Sequence, residues 1–233
     1  MIVYGRNPVR EALRGKRSVS RAWATEAAAR ALDWLAAANP KIVRDADLQA
    51  LCGSSEHQGV CAEASDYPYA DALDLLAADD ALVVCLDEVQ DPHNLGAVCR
   101  VAECAGAAGV VIGERRSAQV TPAVCKASAG AVEHLDVAPV RNLADYLAAA
   151  KERGAWVYGA AAEGATPYGE PDYAGRVVLV LGAEEKGLRP RVADACDALV
   201  RLPILGRIES LNVSTAAAAL LYGILHFRRS ALT

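Results

Sequence analysis

The run VVLVLG, Val177 to Gly182, is apolar at every position. A strand with one face in water alternates apolar and polar residues; a strand without alternation is covered on both faces, as in a parallel sheet with helices packed on each side. Comparable runs recur at Leu82 to Leu86, Val110 to Ile112, Leu135 to Val140, Trp156 to Ala160 and Leu199 to Leu202. Helix-like segments separate them: Asn94 to Ala105, Pro122 to Gly130, Leu143 to Arg153, one near Arg189 to Ala195, and Val213 to Phe227. The alternation predicts an α/β domain over residues 81–233 with a mainly parallel sheet. Its last helix, STAAAALLYGILHF, is apolar almost all round, so burial is expected, in the core or against a second subunit.

A chain of 233 residues has room for a second, smaller unit. Residues 1–64 read as a small α/β domain: strands at Ile2 to Tyr4, near Arg21 to Trp23, at Lys41 to Arg44 and Gly59 to Glu63, with helices at Pro8 to Arg14, Glu26 to Ala38 and Ala46 to Leu51. Asn7 as N-cap, Pro8 at the first helical position and Gly15 beyond the end punctuate the first helix. Residues 65–80, SDYPYADALDLLAADD, turn acidic and are taken as the linker.

Charge is divided unevenly between these parts. The chain carries a net −5, yet residues 1–44 hold nine basic and three acidic residues. Arg6, Arg10, Arg14 and Arg17 cluster in and around the first helix and are expected to form a basic ridge suited to phosphate binding. A solvated charged surface explains the charge count equally well. No stretch reaches the roughly 18 apolar residues of a membrane helix and the N-terminus lacks a signal-peptide pattern, so a cytoplasmic protein is expected. Seven cysteines, an odd number without a CxxC pair, read as buried free thiols, and no metal site is expected.

In parallel sheets, ligands collect at the carboxyl ends of strands, and three strand-to-helix turns stand out there. In LDEVQDPHNLGAVCR, Asn94 opens a helix that carries Arg100 six residues on. An N-cap and a surface arginine would explain that turn by itself. In VVLVLGAEEKG, Gly182 follows a buried strand and permits close backbone approach, and Glu184 puts a carboxylate at the sheet edge. In LPILGRIESLNVS, the cluster Glu209, Ser210, Asn212 and Ser214 leads into the apolar last helix; capping accounts for Ser210 or Asn212 but not for all four.

The segments DPHNLGAVCR, LVLGAEEKG and LPILGRIESLNVS, in that order, resemble the three motifs of the SpoU (TrmH-type) branch of the SPOUT RNA methyltransferases. IVYGRNPVREAL and HQGV resemble that family's small N-terminal RNA-binding domain, and the layout is most similar to the 23S rRNA guanosine 2'-O-methyltransferases. The resemblance implies a trefoil knot formed by the last segment, an exception to unknotted topology. It implies S-adenosylmethionine bound against Gly182, Leu202, Ile204 and Leu211, with the loop after Ala160 closing over it. It also implies a homodimer, with the site near the interface. For catalysis it implies Arg100, with Asn94, Glu184, Ser210 and Asn212 holding Arg100 and the ribose in place. A guanidinium stays protonated, so Arg100 is expected to stabilise the developing 2'-alkoxide rather than to take its proton. The alternatives carried with this reading are a tRNA 2'-O-methyltransferase, an rRNA methyltransferase conferring antibiotic resistance, and an inactive knotted RNA-binding protein.

Overall fold

A computed structural model of the chain describes residues 1–163, 166–183 and 186–230, with residues 229 and 230 described by backbone only. The first part contains β1 (Ile2–Tyr4), α1 (Arg6–Ala12), β2 (Val19–Ala24), α2 (Glu26–Ala31), β3 (Lys41–Ile42), α3 (Asp45–Cys52) and β4 (Val60–Ala64). Its four-stranded sheet runs β1-β4-β2-β3, with β4 antiparallel to both neighbours and β3 parallel to β2. The helix expected from Glu26 to Ala38 breaks at Leu32, where the backbone leaves helical angles and a 3-10 segment, Asp33–Ala38, begins. The first helix starts two residues earlier than its sequence punctuation suggests: Gly5 is the N-cap, and Asn7 lies inside the first turn.

The second part continues with β5 (Leu82–Asp87), α4 (Pro92–Cys104), β6 (Gly109–Gly113), α5 (Pro122–Ala127), β7 (Asp136–Val140), α6 (Leu143–Glu152), β8 (Trp156–Ala160) and β9 (Thr166–Pro167). It ends with β10 (Val177–Gly182), α7 (Pro190–Ala195), β11 (Ala198–Arg201) and α8 (Val213–Ser230). These strands form a seven-stranded sheet in the order β7-β6-β5-β10-β8-β11-β9, with each neighbouring pair parallel. The two-residue β9 was not anticipated; it is too short to leave a periodic signal.

The apolar run that predicted this sheet divides its side chains between two cores. Val177, Leu179 and Leu181 face α4, α5 and α8, whereas Val178 and Val180 face α6 and α7. On β5, Leu82, Val84 and Leu86 join the first core and Val83 and Cys85 the second. Each such Val or Leu contributes about 1.5–3 kcal/mol through burial, which explains why no polar residue interrupts these strands. Helices α4 and α5 meet closely at Gly96, where a Cβ would lie 2.5 Å from that of Ala127, so glycine is required at this crossing.

The first core is continuous with the N-terminal sheet through Val3, Val9, Ala22 and Val60. Residues 65–80 do not hang free between the two sheets. Tyr67 is buried, its hydroxyl donating to the carbonyls of Val132 (3.2 Å) and Leu135 (2.6 Å), and Ala72, Leu75 and Leu76 pack under β5 and β6.

The last helix is only half as buried as its composition suggested. Val213, Ala217, Leu220, Leu221 and Ile224 enter the core, while Thr215, Ala219, Tyr222 and His226 form an exposed stripe. Before it, the chain leaves β11, passes as the loop 202–212 beside the carboxyl ends of β8 and β10, and returns to pack α8 on α4. That path is consistent with the knot implied by the family resemblance. No helix among the described residues is long and apolar enough to cross a membrane.

Candidate active site at the carboxyl edge of the parallel sheet

The sheet changes direction of growth between β5 and β10, and the turns after β5, β8, β10 and β11 gather at that switch point. A cavity of about 900 Å³ opens there. Ala160, Gly182, Leu202, Ile204 and Leu211, the five residues expected to hold a cofactor, all line it, and so does Ser210. Its walls combine apolar side chains with backbone at the strand ends, and Glu163 and Glu209 place carboxylates on it.

Gly182 is glycine for a reason other than ligand approach. The turn after β10 folds back so tightly that a Cβ at Gly182 would lie 2.2 Å from the carbonyl carbon of Gly187. The Gly187 amide donates to the Ala183 carbonyl at 2.8 Å, and Gly187 itself takes a left-handed φ of 62°. This fold-back opens the end of β10 to the cavity. Asp87, at the end of β5, fixes the same turn from the side: its buried carboxylate accepts from the Arg189 backbone amide (2.8 Å) and from Arg189 Nε (2.7 Å). The signal for Asp87 in the sequence is a carboxylate ending an all-apolar strand.

Asn94 and Asn212 come together although 118 residues separate them. Asn212 Nδ2 donates to Asn94 Oδ1 at 3.0 Å, tying the start of α4 to the start of α8. Asn212 Oδ1 also accepts from the Ser214 backbone amide at 2.8 Å, so it is Asn212 that caps α8. Asn94 does not cap α4. Asp91 does, accepting from the His93 amide at 2.8 Å with Pro92 at the first helical position, which leaves the Asn94 side chain available to Asn212. Asn94 lines a smaller cleft of about 260 Å³ with Glu88, Asp91, Ala183, Lys186 and Val213, directly beside the large cavity.

Arg100 lies two turns further along α4 on its exposed face. It lines neither cavity and makes no hydrogen bond or ion pair with any described residue. Glu184 lies outside the described residues. The expected basic ridge is corrected at one position. Arg17 is buried, its Nε 2.9 Å from Glu133 Oε2 and its Nη2 bonded to Glu133 Oε1, because the N-terminal sheet docks on the segment around α5 and carries Arg17 inward. Burial works against the Arg17 charge, but hydrogen bonds to Glu133 and its negative charge hold the guanidinium pKa above its ordinary value. Arg10 is half-covered and bonded to Glu11 at 2.7 Å; Arg6 and Arg14 remain exposed.

Burial raises the thiols, Cys61, Cys99 and Cys196 to about 12 and Cys125 to about 11. Among the described residues, no group of three or more metal-ligating side chains converges.

A parallel α/β sheet with a large mixed cavity at its switch point, walled by a fold-back turn and by a long loop before the last helix, defines a cofactor-binding enzyme domain. The model of the SpoU rRNA Methylase family matches residues 81–222, and that of RNA 2'-O ribose methyltransferase substrate binding matches residues 2–70. The chain belongs to the SpoU rRNA methylase family. It is 43% identical over 176 residues to Bacillus subtilis YacO, assigned to the TrmH family of tRNA/rRNA methyltransferases, covering 73% of this chain and 71% of that one. A Staphylococcus saprophyticus protein with the same family assignment is 35% identical over 239 residues, covering 98% and 96%. Among solved structures, the SpoU methyltransferase AviRb from Streptomyces viridochromogenes, in complex with the cofactor AdoMet, superposes with a TM-score of 0.83. It is 25% identical, with 99% of this chain and 91% of that one covered.

Proposed function

We propose that this chain is an S-adenosylmethionine-dependent RNA 2'-O-ribose methyltransferase acting on a guanosine of 23S rRNA. In this reading it is a cytoplasmic homodimer divided into an RNA-binding domain (1–64), a linker (65–80) and a knotted methyltransferase domain (81–233). The observation that carries the reading is the joining of the three motif turns at one place: the 900 Å³ cavity with all five expected cofactor residues on its walls, and the Asn94–Asn212 bond at its side.

The cavity suits the cofactor. Leu202, Ile204 and Leu211 offer apolar surface for a planar base, backbone at Gly182 offers hydrogen bonds, and the Glu209 carboxylate favours a cation. When bound, S-adenosylmethionine supplies an electrophilic methyl group on a sulfonium. The chain must then place a ribose 2'-oxygen in line with that methyl and manage the departing hydroxyl proton. Arg100, charged and without a described partner, stabilises the negative charge growing on the oxygen, and a phosphate oxygen or water accepts the proton. Asn94 and Asn212, locked to each other, fix the cleft in which the ribose is held.

Two exposed surfaces support the remaining parts. Leu205 is 97% and Ile208 74% exposed, and with Leu211 and Tyr222 they give the loop and α8 an apolar surface suited to a second subunit. Arg6 and Arg14, with Arg10 at their side, leave basic charge on the outer surface of α1 for RNA.

The test is transfer of a radiolabelled methyl group to deproteinised 23S rRNA and to tRNA, followed by mapping of the 2'-O-methyl position. A single labelled guanosine in 23S rRNA is expected. Label confined to tRNA overturns the substrate, and no transfer to either RNA overturns the activity.

A further inference from the structure

The carboxyl edge of the sheet carries a third opening that no motif accounts for. It is a cleft of about 260 Å³ at the ends of β5, β6 and β7, and four arginines line it: Arg115, Arg116, Arg141 and Arg189. Their existing bonds differ. Arg189 is held by Asp87 at 2.7 Å and lies 3.5 Å from Glu88, and Arg116 is also 3.5 Å from Glu88. Arg141 is 92% exposed and only loosely paired with Glu114 at 3.8 Å. Arg115 is exposed and makes no hydrogen bond or ion pair with any described residue. The carboxylates facing the cleft are thus Asp87 and Glu88, both already engaged, with Glu114 beside it.

A second observation points to a ligand. The Ser117 hydroxyl is buried at the cleft and has no hydrogen-bond partner among the described residues. It nests against Gly113, where a Cβ would approach it to 3.0 Å. A buried hydroxyl left unpaired costs free energy unless something absent from the free protein completes it. Beside the Arg115 guanidinium, which has no partner among the described residues, and the loosely paired one of Arg141, the matching acceptor is an anionic oxygen.

The three openings are consecutive. Glu88 lines both the arginine cleft and the cleft of Asn94, and Ala183 and Val213 line both the Asn94 cleft and the large cavity. We propose that the arginine cleft seats a backbone phosphate of the RNA next to the target nucleotide, and that the three openings form one groove running from this phosphate seat to the cofactor. The inference rests on the RNA reading above and adds a substrate contact to it. The sequence signal was present in ERRS, Glu114 to Ser117, but no charge count singles it out, because Arg141 and Arg189 join it only in the fold.

The test measures direct binding to deproteinised 23S rRNA across a salt series. Arg115→Ala with Arg141→Ala removes the two arginines least involved in holding the fold. On single-stranded RNA each lost phosphate contact takes about 0.7 off the salt slope, so emptying this one seat takes about 0.7 and weakens binding roughly 5-fold at 0.1 M salt if the curves converge at 1 M. Lys151→Ala with Arg153→Ala removes equal charge at the end of α6, on the opposite edge of the sheet, and is expected to change binding little. Ser117→Ala is expected to leave thermal stability unchanged or higher while weakening RNA binding, a pairing that a merely structural hydroxyl does not produce. Competition by millimolar inorganic phosphate at constant ionic strength is expected to be weak; strong competition would reassign the cleft to free phosphate. Wild-type affinity and slope in the Arg115/Arg141 variant, or equal losses in the Lys151/Arg153 control, overturn the proposal. Neither result bears on whether the wild-type protein transfers a methyl group, which the mapping assay decides separately.

Discussion

Replacing Glu133 by Gln tests how the N-terminal sheet is fastened to the rest of the molecule. Arg17 and Glu133 are 1% and 0% exposed in their side chains and are bonded through both carboxylate oxygens. Arg17 Nη1 also reaches the Ser65 carbonyl at 3.3 Å, and Nη2 lies 3.5 Å from Cys125 Sγ. The amide of Gln nearly keeps the shape but leaves the guanidinium buried without a counter-charge. Breaking one side of such a pair costs about 3–5 kcal/mol, whereas replacing both sides by apolar residues is often neutral. In a chain of this size 1 kcal/mol corresponds to about 2–4 °C, so Glu133→Gln and Arg17→Met are each expected to lower Tm by about 6–20 °C. The double variant Arg17→Met, Glu133→Leu is expected to recover most of the loss. Calorimetry on the wild type, Arg17→Met, Glu133→Leu and their double variant closes the cycle. Single variants within about 1 kcal/mol of wild type, or a double variant whose loss is the sum of the singles, would refute the buried lock.

Three further outcomes follow from the site and its surroundings. Arg100→Ala is expected to abolish methyl transfer while leaving cofactor affinity, read by calorimetric titration, nearly unchanged, and Arg100→Lys to rescue little because it loses the planar fork; near-normal turnover in either would remove Arg100 from the chemistry. Although burial opposes it, hydrogen bonds from His134 and Arg10 hold the Glu11 carboxyl below its ordinary 4.5, so its contribution is complete above that pH and lost as pH falls through the depressed value. The Tm difference between wild type and Glu11→Gln should therefore be constant from neutrality to about pH 5 and shrink below it; a difference that does not shrink in acid contradicts the contact. Finally, Cys104, the one exposed cysteine, should react with a maleimide well before Cys61, Cys99 and Cys125, whose burial raises their thiols; early labelling of Cys99 would contradict the packing of α4.

Much of the cofactor cavity was legible before folding was considered. The resemblance to a known family implied Gly182, Leu202, Ile204, Leu211 and the loop after Ala160, all of which line the cavity, whereas the residue pattern alone says only that turns after the strands of a parallel sheet share one edge. Partner choice was not legible. Asn94 looked like a cap because it stands at a helix start, but Asp91 takes that bond and Asn94 meets Asn212 instead. Arg17 looked like a fourth surface arginine because its neighbours in sequence are exposed. Its environment is set by Glu133, 116 residues away.

The sequence by itself determined the fold class and the edge where the chemistry sits, because strands covered on both faces write an unbroken apolar run and sharp turns demand particular residues. Only the tertiary structure decided which polar groups are satisfied and which remain available. Arg17 and Arg115 are chemically alike, yet one is buried against a carboxylate and the other left unpaired beside an unsatisfied hydroxyl. Hydrogen bonds and ion pairs across long sequence separations depend on where distant segments dock, and periodicity carries no record of that.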